Sequence, residues 1–315
     1  MPWLQLTIDI DPAHAPEVES LLEDAGALAV SLADAADDPL YEPPLGTSPL
    51  WSHTRIIGLF ETSAAPAVIV AQVAQELGQE PVWQVQWVAD QDWERAWLED
   101  FHPLSCGTRL WVCPSGWPVP HPDAVILWLD PGLAFGTGTH PTTALCLEWL
   151  DASLQSGATV VDYGCGSGIL GLAALRLGAA RAWAVDNDPQ ALLATIDNAA
   201  KNDITIQTTL SLAITPIPEI SIAFPLKESD ALLWVGPPEH LPQVKADLLL
   251  ANILARPLIE LAPRLETLVR PGGNIVLSGI LADQEQSIIA AYQPWFDFHP
   301  TIIREGWICL TGIHR

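Results

Sequence analysis

Basic side chains are scarce in this sequence of 315 residues. Lysine and arginine together number 13, against 38 aspartates and glutamates, so the net charge is −25. A field of this sign repels phosphate backbones, which argues against a nucleic acid as the main partner. The acidity favours a basic protein or a cationic small molecule as partner, or it only keeps the protein soluble. Residues 1–103 are the most acidic part, with 18 acidic residues against Arg55 and Arg95, a net charge of −16.

Cysteine pairs and long apolar runs are absent as well. The five cysteines are scattered and never form a C-x-x-C pair, which argues against a disulfide framework or a zinc site and fits a reducing cytosol. No apolar run reaches the roughly 18 residues that a membrane span requires. The first residues carry no basic segment before an apolar core, so they do not predict a signal peptide. We therefore expect a cytoplasmic protein with no metal site and no membrane contact.

The first third of the chain alternates between strand and helix patterns. Trp3–Ile10 places its leucines and isoleucines at period two, and residues 15–26 and 65–77 show helical spacing. Further strand patterns complete the order β-α-β-β-α-β, which is typical of a ferredoxin-like sandwich. The sequence thus predicts a small α+β domain over residues 1–89.

An aromatic stripe follows this predicted domain. The segment DQDWERAWLEDF places Trp93, Trp97 and Phe101 on one face of a short helix. The stripe is explained by packing against one domain, and equally by a rigid linker between two domains, and the two interpretations are compatible. We assign residues 90–103 to a linker helix.

From residue 104 onward the pattern becomes a regular alternation of strands and helices. Such an alternation predicts a mostly parallel sheet with helices on both faces, the architecture of a Rossmann-like domain. We assign residues 104–315 to this second domain. Its predicted helices cover residues 142–154, 169–177, 189–202, 256–269 and 283–292, and its last two predicted strands cover residues 274–278 and 306–313. Residues 204–246, rich in Pro and Thr, are the part whose pattern is least regular.

A glycine-rich turn gives the strongest chemical signal. It follows a predicted strand and opens a predicted helix, with the sequence Asp162-Tyr163-Gly164-Cys165-Gly166-Ser167-Gly168-Ile169-Leu170-Gly171. The subset Gly166-x-Gly168-x-x-Gly171, with Asp186 twenty residues after Gly166, fits a dinucleotide fingerprint and alone would support an NAD enzyme. A tight strand–helix connection without a ligand is the structural alternative.

The acid at the start of the turn favours a different ligand. A carboxylate beside a diphosphate is repulsive, whereas beside a sulfonium and an ammonium it is attractive. The fuller pattern of Asp162, Gly164, Gly166 and Gly168 resembles the first motif of the class I S-adenosylmethionine-dependent methyltransferases. In these enzymes an acid at the position of Asp186 binds the ribose hydroxyls of the methyl donor.

Several further motifs resemble one family of such enzymes, the ribosomal protein L11 methyltransferases. They are DPGLAFGTGTHPTT at residues 130–143, Asp92-Trp93-Glu94 with Trp97, Phe101 and Pro103, Asp186-Asn187-Asp188-Pro189, Asn252-Ile253-Leu254, Leu277–Leu281 and Glu305-Gly306-Trp307. Several separated motifs in the right order are far more specific than one glycine turn. Taken alone, Asn252 after a strand is explained as a helix cap, and residues 130–143 as a loop before a capped helix.

The resemblance implies both an activity and a division of labour. It implies an N-terminal domain that docks ribosomal protein L11 and a C-terminal domain that methylates its N-terminal α-amine and lysine side chains with S-adenosylmethionine. Family cofactor positions correspond to Thr143, Gly164, Asp186 and Asn252. The segment 211–243 departs from the family, because it is longer than the usual stretch.

The expected reaction is an in-line attack of a neutral amine on the sulfonium methyl group. His140 is the candidate proton acceptor by position, and a loop-ordering hydrogen bond explains it equally well; Asn252 would orient the cofactor or the amine. Alternatives are a methyltransferase acting on RNA, on another protein or on a small amine, and a non-catalytic binding module. The missing basic face argues against RNA. No assembly element is recognisable, so we expect a monomer.

Overall fold

A computed structural model of the chain describes residues 2–36, 50–89, 102–119, 121–130, 136, 138–208 and 232–315. The chain divides into two compact units, residues 1–96 and 97–315. The predicted linker helix, apart from its last two residues, and most of the segment 211–243 lie outside the described residues. Within the described residues, no helix combines the length and apolarity needed to cross a membrane.

Within its described residues, the first unit contains four strands and two α-helices in the predicted order β-α-β-β-α-β. Their bounds are β1 Trp3–Ile10, α1 Ala15–Asp24, β2 Ala29–Asp34, β3 Thr54–Phe60, α2 Pro66–Leu77 and β4 Val82–Val88. All neighbouring strands are antiparallel, and the sheet order is β2-β3-β1-β4. The strand and helix patterns at the start of the sequence are therefore realised in these elements.

Period two in β1 produces the core of the first unit. Every second residue of β1 is buried, from Leu4 to Ile10, because successive side chains of a strand point to opposite faces. The two helices cover that face with Val18 and Leu22 from α1 and Val73 from α2. Gly78 ends α2 in the left-handed conformation, with φ of 66°.

The second unit begins with a small sheet and continues with an alternating series. The small sheet contains β5 Leu104–Ser105, β6 Leu110–Cys113 and β7 Val125–Trp128. The helices that follow are α3 Pro141–Ser153, α4 Ile169–Arg176, α5 Pro189–Lys201, α6 Ala255–Thr267 and α7 Glu285–Tyr292. Each lies within a few residues of the predicted helix, because the apolar spacing and the glycine and proline breaks are local signals.

A nine-stranded sheet forms the centre of the second unit. Its strands are β8 Thr159–Tyr163, β9 Arg181–Val185, β10 Thr205–Thr208, β11 Leu232–Gly236, β12 Ala246–Asn252, β13 Val269–Leu281, β14 Phe296–Phe298, β15 Ile302–Arg304 and β16 Trp307–His314. The order is β10-β11-β9-β8-β12-β13-β16-β14, with β15 paired to β16. The strands from β10 to β13 are parallel, whereas β14, β15 and β13 pair antiparallel with β16.

Helices bury both faces of this sheet. On one face, Val160 and Leu250 pack with apolar residues of α3, α4 and α5. On the other face, Val161 and Leu249 pack with α6 and α7. Burial on both faces explains the nearly continuous apolar sequence of the central strands. The predicted α/β fold with a mostly parallel sheet is thus confirmed.

Candidate functional site at the carboxyl edge of the sheet

Three neighbouring parallel strands bring the predicted site residues to one edge of the sheet. In the register, Asp162 of β8 lies opposite Ala184 of β9 and Leu250 of β12. The strands end within two residues of one another, so the turn after β8, Asp186 after β9 and Asn252 at the end of β12 meet at the carboxyl edge. Ligands of open α/β sheets bind at this edge.

The glycine-rich turn is shaped by left-handed backbone. Gly164 and Gly168 have φ of 77° and 78°, a region that L-residues rarely adopt. The N–H groups of Gly164 and Cys165 both donate to the Val185 carbonyl, at 2.7 and 3.0 Å. A Cβ on Gly164 would lie 2.3 Å from Ile253 Cγ2. Hydrogen bonds therefore attach the turn to β9, and Ile253, the residue after Asn252, packs closely against Gly164.

Asp186 forms the acceptor at the end of β9. Its half-buried carboxylate accepts the Gly166 N–H at 2.9 Å and the Asp188 N–H at 3.0 Å. A carboxylate offers about four acceptor positions, so about two remain for hydroxyl donors of a ligand. The acceptor positions that remain on Asp186 thus fit the two hydroxyl donors of the ribose of an S-adenosyl group, and the neighbouring glycines carry no side chains that would block its approach.

Asp162 is buried below the turn, with 1% of its surface exposed. One oxygen accepts the Gly171 N–H at 2.8 Å, which attaches the end of β8 to the first turn of α4. Burial raises the pKa of this carboxyl to about 7, the Gly171 hydrogen bond opposes the shift, and the negative charge of Asp186 adds to it. A cationic ligand at this edge would favour the ionised form.

The raised pKa of Asp162 predicts a pH-dependent stability. Between the unfolded value of 3.8 and about 7, the unfolded chain loses this proton and the folded chain keeps it. Stability therefore falls as pH rises through this window, by at most about 1.4 kcal/mol per unit. Asp162→Asn removes the carboxyl and leaves an oxygen for Gly171, so the variant should lose less stability than the wild type between pH 4 and pH 7. The free energy of unfolding in urea, measured without ligand at several pH values, tests this, and the same pH dependence in both proteins would contradict it.

Thr143 and Asn252 are joined directly. The Asn252 side-chain amide donates to Thr143 Oγ1 at 3.1 Å. Thr143 lies in the first turn of α3 and is 1% exposed. This hydrogen bond connects the start of α3 with the end of β12, although the two residues are 109 positions apart.

His140 forms the N-cap of α3. Its Nδ1 lies 2.7 Å from Thr142 Oγ1 and accepts the Thr142 N–H at 3.4 Å. Burial lowers the pKa of the imidazole, partly opposed by the negative charge of Glu305, and this favours the neutral form of the ring. The ring packs edge-on against Trp307, with the centroids 4.9 Å apart. These contacts make His140 a helix cap, and both its loop-ordering role and its proton-accepting role stay predictions.

Two buried residues of α5 support the turn and were not predicted from the sequence. Thr195 Oγ1 donates to the Gly166 carbonyl at 2.9 Å, and Asn198 Nδ2 donates to the Ser167 carbonyl at 3.0 Å. Their spacing of three places both on one helix face, but their burial, which distinguishes them from other polar helix residues, is known only from the structure. Within the predicted loop 130–143, Gly136 accepts a hydrogen bond from Ser167 at 2.6 Å, whereas residues 131–135 and 137 lie outside the described part.

Comparison with known proteins gives one consistent relationship. The sequence matches the family model described as ribosomal protein L11 methyltransferase (PrmA) over residues 2–315. It is 50% identical, over 316 aligned residues, to the ribosomal protein L11 methyltransferase of Methylococcus capsulatus, with 99% of each chain covered. The protein of the same name from Pseudomonas aeruginosa is also 50% identical, with 100% of this chain and 99% of that one covered. The crystal structure of a ribosomal protein L11 methylase from Lactobacillus delbrueckii subsp. bulgaricus is similar with a TM-score of 0.55 and 29% identity, covering 68% of this chain and 100% of that chain.

Proposed function

Because the chain belongs to the ribosomal protein L11 methyltransferase (PrmA) family, we propose that it methylates amino groups of ribosomal protein L11 with S-adenosylmethionine as donor. The observation that carries this proposal is the convergence of the glycine turn, Asp186 and the Asn252–Thr143 pair at one edge of the sheet. The acceptors are the N-terminal α-amine and lysine side chains. The alternative is a methyltransferase of the same class that acts on another protein or a small amine.

The site residues form two groups: those that would bind the methyl donor, and those on the acceptor side, where the amine that receives the methyl group would lie. Asp186 would accept the ribose hydroxyls, and Gly164, Gly166 and Gly168 would let the backbone approach the donor closely. Asp162, ionised by the positive charge of the donor, would stabilise that charge from below. Thr143 and Asn252 would lie at the reacting end, where the Asn252 side chain orients the cofactor or the incoming amine.

The chemistry requires little covalent participation by the protein. When bound, the donor supplies an electrophilic methyl group on a sulfonium. The acceptor nitrogen uses its lone pair to form the new C–N bond as the C–S bond breaks, and the methylated nitrogen then releases a proton. An N-terminal amine, with a pKa near 7.7–8.0, is partly neutral at pH 7, whereas a lysine near 10.4 needs help to lose its proton. Neutral His140 can accept that proton, and otherwise positioning and desolvation provide the rate.

The acidic N-terminal part of the chain, residues 1–103, fits a docking role. Residues 1–103 carry a net charge of −16, and a basic ribosomal protein would be attracted to them over long range. We therefore propose that the ferredoxin-like domain docks ribosomal protein L11, free or on the ribosome, without direct contacts to nucleic acid. We also propose that the enzyme acts as a monomer.

The test is the intact mass of purified ribosomal protein L11 after incubation with this protein and S-adenosylmethionine. We expect mass gains in steps of one methyl group that depend on the donor, and peptide mapping should place them on the α-amine and on lysines. A parallel incubation with NAD instead of the methyl donor should give no product. If the donor binds but ribosomal protein L11 gains no mass, the acceptor assignment is wrong and the alternative acceptor classes follow.

A further inference from the structure

The turn between β15 and β16 lies at the same edge of the sheet as the candidate site. Strand β16 runs antiparallel to β13, and its first residue, Trp307, pairs with Leu281 at the end of β13. Arg304, the last residue of β15, donates two hydrogen bonds to Glu148 of α3, at 3.0 and 2.8 Å. The hairpin is therefore attached to α3, which has His140 as its N-cap and Thr143 in its first turn.

This turn holds a residue that its backbone does not favour. Glu305 and Gly306 have φ of 52° and 79°, so both central residues of a two-residue turn are left-handed. Turns of this kind prefer Asn or Asp followed by Gly, because the short polar side chain tolerates this conformation. Of the non-glycine residues that the structure describes, Glu305 shares positive φ with Asp203 only. A glutamate kept in an unfavourable conformation indicates a use for its carboxylate.

Glu305 lies two residues before Trp307, whose ring packs on the imidazole of His140. Its side chain is exposed, and the neighbouring Arg304 is engaged by Glu148 in a two-point ion pair. The imidazole of His140 faces Thr142 of its own helix, Trp307 of the hairpin and the negative charge of Glu305, which raises the pKa of that imidazole against the effect of burial. A cation that reaches His140 from solvent therefore meets the field of this carboxylate.

We propose that Glu305 is a specificity-determining residue of the acceptor site, where its exposed carboxylate, held by a left-handed turn next to Trp307 and His140, attracts the cationic amino group of the protein substrate. This inference rests on the proposed methylation of amines. Lysine and most N-terminal amines are cationic at neutral pH, and a weak, solvent-exposed ion pair collects the ammonium form without retaining it. The neutral form is then free to turn toward Asn252 and the methyl donor.

The test compares variants by steady-state kinetics with ribosomal protein L11 as the varied substrate. Glu305→Gln removes the charge and keeps the length, and it should raise KM about three- to fivefold, the upper part of the range of an exposed ion pair, with kcat changed less than about twofold. Donor affinity should be unchanged. Glu305→Asp, which keeps the charge, should stay closer to the wild-type KM than Glu305→Gln.

A second substitution separates recognition from structure. Glu305→Asn suits the left-handed turn better, so it should raise the melting temperature and still raise KM as Glu305→Gln does. Asp203→Asn, at the other left-handed position and outside the site, is the matched control and should keep the wild-type KM. A structural role for Glu305 cannot produce a more stable protein with weaker substrate binding.

The outcomes distinguish this inference from the proposed function. If both charge-removing variants keep the wild-type KM, the inference is wrong, whereas methylation by the wild type still supports the function. A rise of KM in Glu305→Asn together with a lower melting temperature would assign Glu305 a structural role and also overturn the inference. If the wild-type protein does not methylate ribosomal protein L11, the proposed function itself fails.

Discussion

Asp186→Ala is expected to weaken binding of S-adenosylmethionine by about a hundredfold or more, since two hydrogen bonds to a charged acceptor contribute about 1.5–3 kcal/mol each. The alanine removes the acceptor proposed for both ribose hydroxyls. It also leaves the Gly166 N–H without its carboxylate partner, which now lies at 2.9 Å, and this loosens the glycine turn. Isothermal titration calorimetry with the methyl donor measures the loss directly.

Asp188→Ala is the matched control for this experiment. Asp188 lies two residues away and caps α5 by accepting the Gln190 N–H at 2.9 Å. Its loss should cost about 1 kcal/mol of stability and leave donor affinity within about twofold. The backbone N–H of residue 188 that donates to Asp186 is kept. Equal affinities for the wild type and Asp186→Ala would reject the ribose assignment.

Local patterns of the sequence were sufficient to predict the sheet edge that carries the site. Asp162, Asp186 and Asn252 each follow a short apolar run, and parallel strands place such ends together whatever the packing between them. The glycine turn could be predicted for the same reason, because glycines after a strand and before a helix are a local signal. Eight candidate site residues were named from the sequence, and hydrogen bonds or direct succession in the chain bring Asp162, Asp186 and the three glycines together.

Tertiary contacts explain what the sequence did not reveal. The pattern predicted a carboxylate at the position of Asp162, but its burial and raised pKa depend on α4 packing over it. In the sequence, Thr195 and Asn198 cannot be distinguished from other polar helix residues. Only their hydrogen bonds to the glycine turn show what they do. The Asn252–Thr143 hydrogen bond spans 109 positions, and no local pattern specifies a contact over that separation.

Strand limits were also less predictable than strand positions. The apolar pattern predicted a strand over residues 274–278, whereas β13 extends from Val269 to Leu281. Its pairing with β16 shifts register between Leu277 and Ile280, and Gly279 in this interval has φ of 81°. An irregularity of this kind interrupts period two, which is why the continuation to Leu281 was not visible in the pattern, whereas the last strand was predicted at residues 306–313 and is observed as β16, Trp307–His314.

Gly164→Ala is expected to destabilise the second unit by about 2–4 kcal/mol, combining the cost of a left-handed alanine with that of overpacking. The added methyl group would lie 2.3 Å from Ile253 Cγ2. Ile253 is β-branched, so its Cγ2 moves away only if χ1 or the backbone changes, and the Ile253 backbone lies close to Gly279, where an added Cβ would be 2.5 Å from the Ile253 carbonyl oxygen. The substitution should therefore distort the glycine turn. We expect both the affinity for S-adenosylmethionine and the free energy of unfolding in urea to decrease.

A double-mutant cycle separates the two costs. Ile253→Ala removes the clashing Cγ2, and the Cβ that remains lies 3.7 Å from the new methyl group, an ordinary contact. The double variant should therefore be more stable than the sum of the single changes by about 1–3 kcal/mol.

Gly78→Ala provides the matched control, since Gly78 has φ of 66° and nothing within 4 Å of its Cβ position. It should cost only the left-handed share, about 1–2 kcal/mol, and leave donor affinity unchanged. If Gly164→Ala costs no more than Gly78→Ala, or if the cycle shows no coupling, Ile253 does not limit the turn. In that case Asn252 and Ile253 pack less tightly against the glycine turn than the close approach of Ile253 to Gly164 implies.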